Sequence, residues 1–151
     1  MNGVAAGQEM GINRDERGAP MGLADVLADH PAKETFDLAE INRAVQACFE
    51  CAAGCLACAD ACLAEDDVAS MRRSIKLDLI CAEICTATAR VLSSPGPGGD
   101  SWRHLVEVCA RACRESAEEC GAHSHGHCQR CAEMCREAEK ACQQLLAAAA
   151  K

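Results

Sequence analysis

The chain has 151 residues, a formal charge of −8 and 14 cysteines, while Leu, Ile, Val and Phe together supply only about 17% of it. A share that low with that charge falls in the range of disordered chains, but Ala and Cys lift the apolar fraction to 50%. A conventional Leu/Ile/Phe core is excluded, and the interior must be filled largely by methyl groups and sulfur.

Residues 1–33 read as a flexible N-terminal arm, with a short helix near 21–29 before Pro31. Nothing at the N-terminus resembles a charged region followed by an apolar one, and Arg14 and Arg17 are not a twin pair, so a cytoplasmic protein is expected. No stretch approaches 18 apolar residues, so neither a membrane span nor a membrane partner is expected. Three aromatics (Phe36, Phe49, Trp102) and an acidic balance argue against a nucleic-acid partner, which needs basic surface and stacking platforms.

Residues 34–151 read as one domain of four helices. Asp37 with Glu40 forms a capping box, and Ala-rich sequence predicts a helix over 37–65. Asp66 and Asp67 mark a break before a helix over 68–93. The segment SSPGPGGD (93–100) is a loop, because Pro95 and Pro97 oppose helix. Asp100 or Ser101 caps a helix over 101–120, and the turn around HSHGH leads to a last helix over 127–148. With these connections the expected fold is all-α, an antiparallel up-down-up-down four-helix bundle with a Cys-lined core.

The cysteines carry the pattern. Cys48, Cys51, Cys55, Cys58 and Cys62 follow steps of 3, 4, 3 and 4. Cys81 and Cys85 are four apart, Cys109, Cys113 and Cys120 step by 4 and 7, and Cys128, Cys131, Cys135 and Cys142 by 3, 4 and 7. Those are the steps of one helical face, so every helix turns its cysteines toward the bundle axis. Folding about the loops sets Cys85 beside Cys109, Cys48 near Cys142, Cys113 near Cys135, Cys109 near Ala138, and Cys120 with Cys62 and Cys128 at one end. Ile41, Val45, Leu92, Trp102, Leu105 and Leu145 seal the other.

Four readings compete for such a ladder. Cysteine as a small apolar filler leaves a needless oxidation hazard. Disulfides suit neither the cytosol nor i, i+4 neighbours on one helix, whose side chains point in parallel. Thiol–disulfide redox chemistry needs one reactive low-pKa pair rather than an even distribution. Thiolate–metal binding remains, and soft thiolates take Cu(I), zinc or Fe–S clusters. Neighbours at i, i+3 and i, i+4 lie about 5–6 Å apart at Cβ, and two opposed metal–sulfur bonds span about 4.6 Å. A Cu(I) ion with two or three sulfurs fits a continuous row more readily than repeated tetrahedral zinc, and a row accommodates many ions. That is the geometry of a store rather than of an enzyme. Zinc or Fe–S binding and thiol–disulfide exchange stay open as alternatives.

The motifs also carry a resemblance. Five cysteines at 48–62 in alternating Cys-x-x-Cys and Cys-x-x-x-Cys steps, Cys-x-x-x-Cys at 81–85, Cys-Ala-x-x-Cys at 109–113 and His-Cys-x-x-Cys-Ala-x-x-Cys at 127–135 resemble the bacterial copper storage proteins over residues 37–145. The resemblance implies multiple Cu(I) ions per chain, a cytosolic homotetramer, and a polar mouth whose His and Asp residues match His123, His127 and Asp66. Where the family often has further cysteines this chain has Ser116 and Ala138, implying a lower capacity. Met71 is a further candidate ligand at the mouth. His125 is expected to face water, and His30 and His104 to be unrelated to metal. Phe49, Leu56 and Leu63 fall off the thiol face and suit a subunit contact.

Overall fold

Backbone hydrogen bonding follows the apolar periodicity closely. In the computed structural model, which describes residues 14, 16–96 and 98–150, α1 (Leu23–Ala28) and a single 3-10 turn (Lys33–Thr35) precede four long helices. These are α2 (Leu38–Leu63), α3 (Val68–Leu92), α4 (Ser101–Gly121) and α5 (Gly126–Ala149). Among the described residues there is no strand, only an isolated bridge between Arg14 and Pro20. Residues 1–13, Asp15, Pro97 and Lys151 lie outside the described residues.

Local chemistry sets the helix starts. The Asp37 carboxylate accepts from the Glu40 backbone N–H at 3.0 Å, and Asp67 accepts from that of Ser70 at 3.3 Å. Each such cap is worth about 1 kcal/mol. The expected capping box is half made, because the Glu40 carboxylate turns forward to Arg43 Nη1 at 2.7 Å instead of back to the cap. Asp100 precedes α4 without a side-chain cap and pairs instead with Arg103 at 3.5 Å.

The four long helices form a ring in which α2 touches α3 and α5, and α4 touches the same two. Neighbours run antiparallel. Their flanks carry buried alanines, including Ala44, Ala52, Ala82, Ala89, Ala132, Ala138 and Ala141. Small side chains there let the backbones approach and leave the axis to the cysteines. α2 and α5 also approach closely at Gly54, where a Cβ would stand 2.7 Å from the Met134 sulfur and move the end of that flexible side chain. α1 packs on α2 through Leu27, with Leu23 and Phe36 beside it, so this stretch of the expected arm rests on the bundle. Ile41, Val45, Leu92, Val106 and Leu145, with Trp102 packed against them, close that end of the core.

One point departs from the sequence reading. By length and composition α2 is apolar enough to cross a membrane. Its apolar character comes from cysteines and alanines, and all five of its cysteines are buried against the other helices.

Candidate metal centre

All fourteen cysteines are buried free thiols. They lie in register along the axis. From the closed end, Cys48 Sγ stands 3.8 Å from Cys109 and 3.9 Å from Cys142. Cys85 follows, 3.7 Å from Cys109 and 3.4 Å from Cys113. Cys81 lies 3.8 Å from Cys113 and 3.9 Å from Cys51, and Cys135 lies 3.5 Å from both Cys51 and Cys55. Cys131 continues the line at 3.8 Å from Cys55. Toward the mouth Cys62 and Cys128 are 4.0 Å apart. A disulfide requires sulfurs at about 2.05 Å, so these thiols are neighbours and not bonded pairs.

The donor atoms fall into sets whose members all lie within 4.8 Å of one another. Among them are the all-sulfur sets Cys48/Cys109/Cys142, Cys51/Cys81/Cys85/Cys113 and Cys51/Cys55/Cys81/Cys135. Others are mixed, as in Cys58/Asp78/Cys120/Cys131 and Cys58/Cys62/His127/Cys128. Together they include every cysteine in the chain. Closely spaced soft donors of this kind suit d10 ions of low coordination number.

Burial raises Cys62 and pushes Cys128 up to about 12. Desolvation of the thiolate is the leading cause for both.

Asp78 is a buried carboxylate that the sequence reading missed. It is fully shielded from solvent, and its Oδ1 accepts from Ser116 Oγ at 2.9 Å, Cys120 Sγ at 3.2 Å and Cys131 Sγ at 3.5 Å. Its Oδ2 and the hydroxyl of buried Ser74 have no hydrogen-bond partner. Burial first, then the neighbouring Cys120 sulfur, pushes the Asp78 carboxyl up to about 7. A signal was present: stepping back from Cys85 and Cys81 by the same 4 and 3 lands on Asp78 and then Ser74, both on the seam.

The mouth is arranged differently from expectation. His127 directs Nδ1 at Cys58 and Cys128, 3.5 Å from each sulfur, and Nε2 at Glu65 Oε1 at 2.8 Å. The carboxylate at the histidines is therefore Glu65, while Asp66 is exposed one residue further along the turn and Asp67 caps α3. His123 turns to Glu119 Oε1 at 3.3 Å, and Glu119 also holds Arg73 at 2.9 Å. His125, expected to face water, stacks on His127 with centroids 5.5 Å apart and lies 3.4 Å from Glu65. Met71 is buried on the α3 seam. His30 accepts from the Ala32 N–H, and His104 lies exposed beside Glu107.

The register across α3 and α4 pairs Cys85 with Cys109, Cys81 with Cys113 and Asp78 with Ser116. Across α4 and α5, however, Cys120 shares its set with Cys131, and Cys109 with Cys142. The pivot is the His125–Gly126 junction where α5 begins, two residues beyond the expected His123/Ser124.

Sequence and fold are both matched among known proteins. The family model for the copper storage protein, Csp, fits residues 37–147. The chain belongs to the copper storage protein family. The copper storage protein Ccsp of Streptomyces lividans, in a structure loaded with 10 copper equivalents, superposes with a TM-score of 0.80 at 42% identity, covering 84% of this chain and 99% of that one. A structure of a cytosolic copper storage protein from the same organism, with five coppers, gives a TM-score of 0.69 at 46% identity over 72% of this chain and 92% of that one. The Cu(I)-bound copper storage protein BsCsp3 gives 0.65 at 29% identity over 71% and 98%. The cysteine-rich protein YhjQ of Bacillus subtilis is 31% identical over 103 residues, 68% of this chain and 93% of its own length.

Proposed function

We propose that this chain is a non-enzymatic store for many Cu(I) ions, held as thiolate complexes along the bundle axis. The observation that carries the reading is the gathering of all fourteen thiols into sets of donor atoms within 4.8 Å of one another, several of which share Cys51, Cys81 or Cys58. Overlap matters because a sulfur shared by two sets can bridge two ions. The family and its copper-loaded members support the choice of Cu(I) over zinc or an Fe–S cluster. The ligands are the fourteen cysteines named above, with His127 at the mouth and Asp78 among Cys58, Cys120 and Cys131. His123 and Asp66, which lie outside the donor sets described above, serve at most as transient contacts, as does the buried thioether of Met71.

Titrating the reduced, metal-free protein with Cu(I) against a competing chelator tests this. Uptake of about one ion per cysteine, with helicity retained in far-UV circular dichroism, is the expected result. Saturation at one to three ions, or a stronger preference for tetrahedral zinc, overturns it.

A cytosolic location is supported by the relative described as cytosolic. Assembly into a homotetramer is the companion proposal. Phe49, Leu56 and Leu63 recur every seven residues on α2 and stay exposed, a line of apolar surface suited to a second copy. The double variant Leu56→Glu/Leu63→Glu is expected to run as a monomer in light scattering where the unaltered protein is a tetramer. Equal masses for the two proteins would dismiss this surface as the contact.

A further inference from the structure

We infer that Glu65 is a positioning residue that fixes the ring tautomer of His127 and thereby presents a metal-ready nitrogen to the outermost thiols. The inference rests on the Cu(I) reading above and extends it to a residue outside the ligand set. An ionised carboxylate only accepts hydrogen bonds. The 2.8 Å contact between Glu65 Oε1 and His127 Nε2 therefore requires the ring proton on Nε2. In the neutral imidazole Nδ1 then carries the lone pair, and it is Nδ1 that stands 3.5 Å from both Cys58 and Cys128.

The opposite tautomer would place a proton in the space where a cation must sit. A carboxylate behind a ligating histidine is a recurrent way to fix ring orientation and raise ligand basicity. His125 packs against the arrangement: its Nδ1 approaches the same Glu65 oxygen at 3.4 Å and its ring stacks on that of His127, 7° from parallel. The carboxylate thus lies beside both rings and bonds to His127 at the turn between α2 and α3. Cys58, Cys62, Cys128 and His127 form the donor set nearest this turn, so the set that meets incoming metal first is the one Glu65 organises.

The test uses the full-length, reduced, copper-free protein with 15N-labelled histidine. Ring nitrogen shifts are expected to show His127 as the Nε2–H tautomer in the unaltered chain and in Glu65→Gln, whose amide oxygen still accepts. Glu65→Ala is expected to give a mixture of tautomers. In stopped-flow mixing with Cu(I) bound to a weak chelator, Glu65→Ala should capture the first ions about tenfold more slowly, with Glu65→Gln restoring most of the rate. The inference is overturned if His127 is Nδ1–H in the unaltered chain, if Glu65→Ala leaves the tautomer as it was, or if Glu65→Gln captures copper as slowly as Glu65→Ala. Because the tautomer is read without copper, a chain that fails to store Cu(I) would be told apart from a failure of this assignment.

Discussion

Replacing Asp78 with Asn is expected to stabilise the copper-free protein at pH 8 by about 3–4 kcal/mol and to remove most of the pH dependence of its stability between pH 4 and 7. Burial lifts the Asp78 carboxyl from its ordinary value of 3.8 to about 7. Below pH 3.8 the group is neutral in both folded and unfolded chains, and its contribution to stability is fully present. As pH rises toward 7 the unfolded chain gives up the proton while the folded chain keeps it, so the folded state is progressively disfavoured. Above 7 the loss is complete, and the folded protein carries a buried charge with one oxygen unpaired. Asparagine keeps the shape and the acceptor for Ser116 without that charge. Thermal melts of the two reduced proteins from pH 4.5 to 8 measure the difference, and parallel curves across that range would refute it.

Such a cost is informative about why the carboxylate is there. A seam position flanked by Cys120 and Cys131 could hold another thiol or a methyl group at less expense to the empty bundle. The site gains a donor that keeps its proton up to about pH 7 without metal and is anionic when it faces a cation. Stability surrendered in the metal-free state is a common mark of a site shaped for its ligand. Ser116 belongs to the same arrangement, since its hydroxyl donates to Asp78 while its oxygen lies 3.9 Å from the Cys55 sulfur.

The bundle was legible in the sequence because sulfur repeats at helical spacing on all four helices and two aspartates cap where the pattern begins. Asp37 and Asp67 both accept from the backbone three residues on, which is local chemistry and needs no knowledge of the fold. The inner partners Cys48/Cys142 and Cys85/Cys109 followed from folding about the loops, and both pairs stand within 4 Å. What escaped was set by turns. In the Glu65-Asp66-Asp67 turn three adjacent carboxylates take three different roles, and only the exit path of α2 after Leu63 decides which meets the histidines. The α4–α5 register slipped for a similar reason, as the helical boundary at Gly126 lies within a run of turn-forming residues with no apolar period to mark it. Asp78 escaped because a single carboxylate in IKLDLI looks like a solvated residue until the seam through Cys81 and Cys85 is extended backward.

Replacing Cys51 and Cys81 together with alanine is expected to remove more copper than the two lost sulfurs account for, about four ions or more, whereas the pair Cys62→Ala/Cys128→Ala should remove about two. Cys51 and Cys81 lie 3.9 Å apart and both belong to two four-sulfur sets, one with Cys55 and Cys135 and the other with Cys85 and Cys113. Deleting them leaves each set with two thiols and takes away the sulfurs able to bridge between ions of neighbouring layers. Cys62 and Cys128 share one set at the mouth, so their loss leaves the interior intact. Alanine is the suitable replacement: it adds no polar group to the dry axis, and each lost buried sulfur costs on the order of 1 kcal/mol, which the helical bundle can bear. Equilibrium copper content after gel filtration, with far-UV circular dichroism to verify the fold, gives the comparison. Equal losses from the two variants would mean that the thiols act as independent one-ion ligands, and the shared-sulfur architecture inferred from the axis would be wrong.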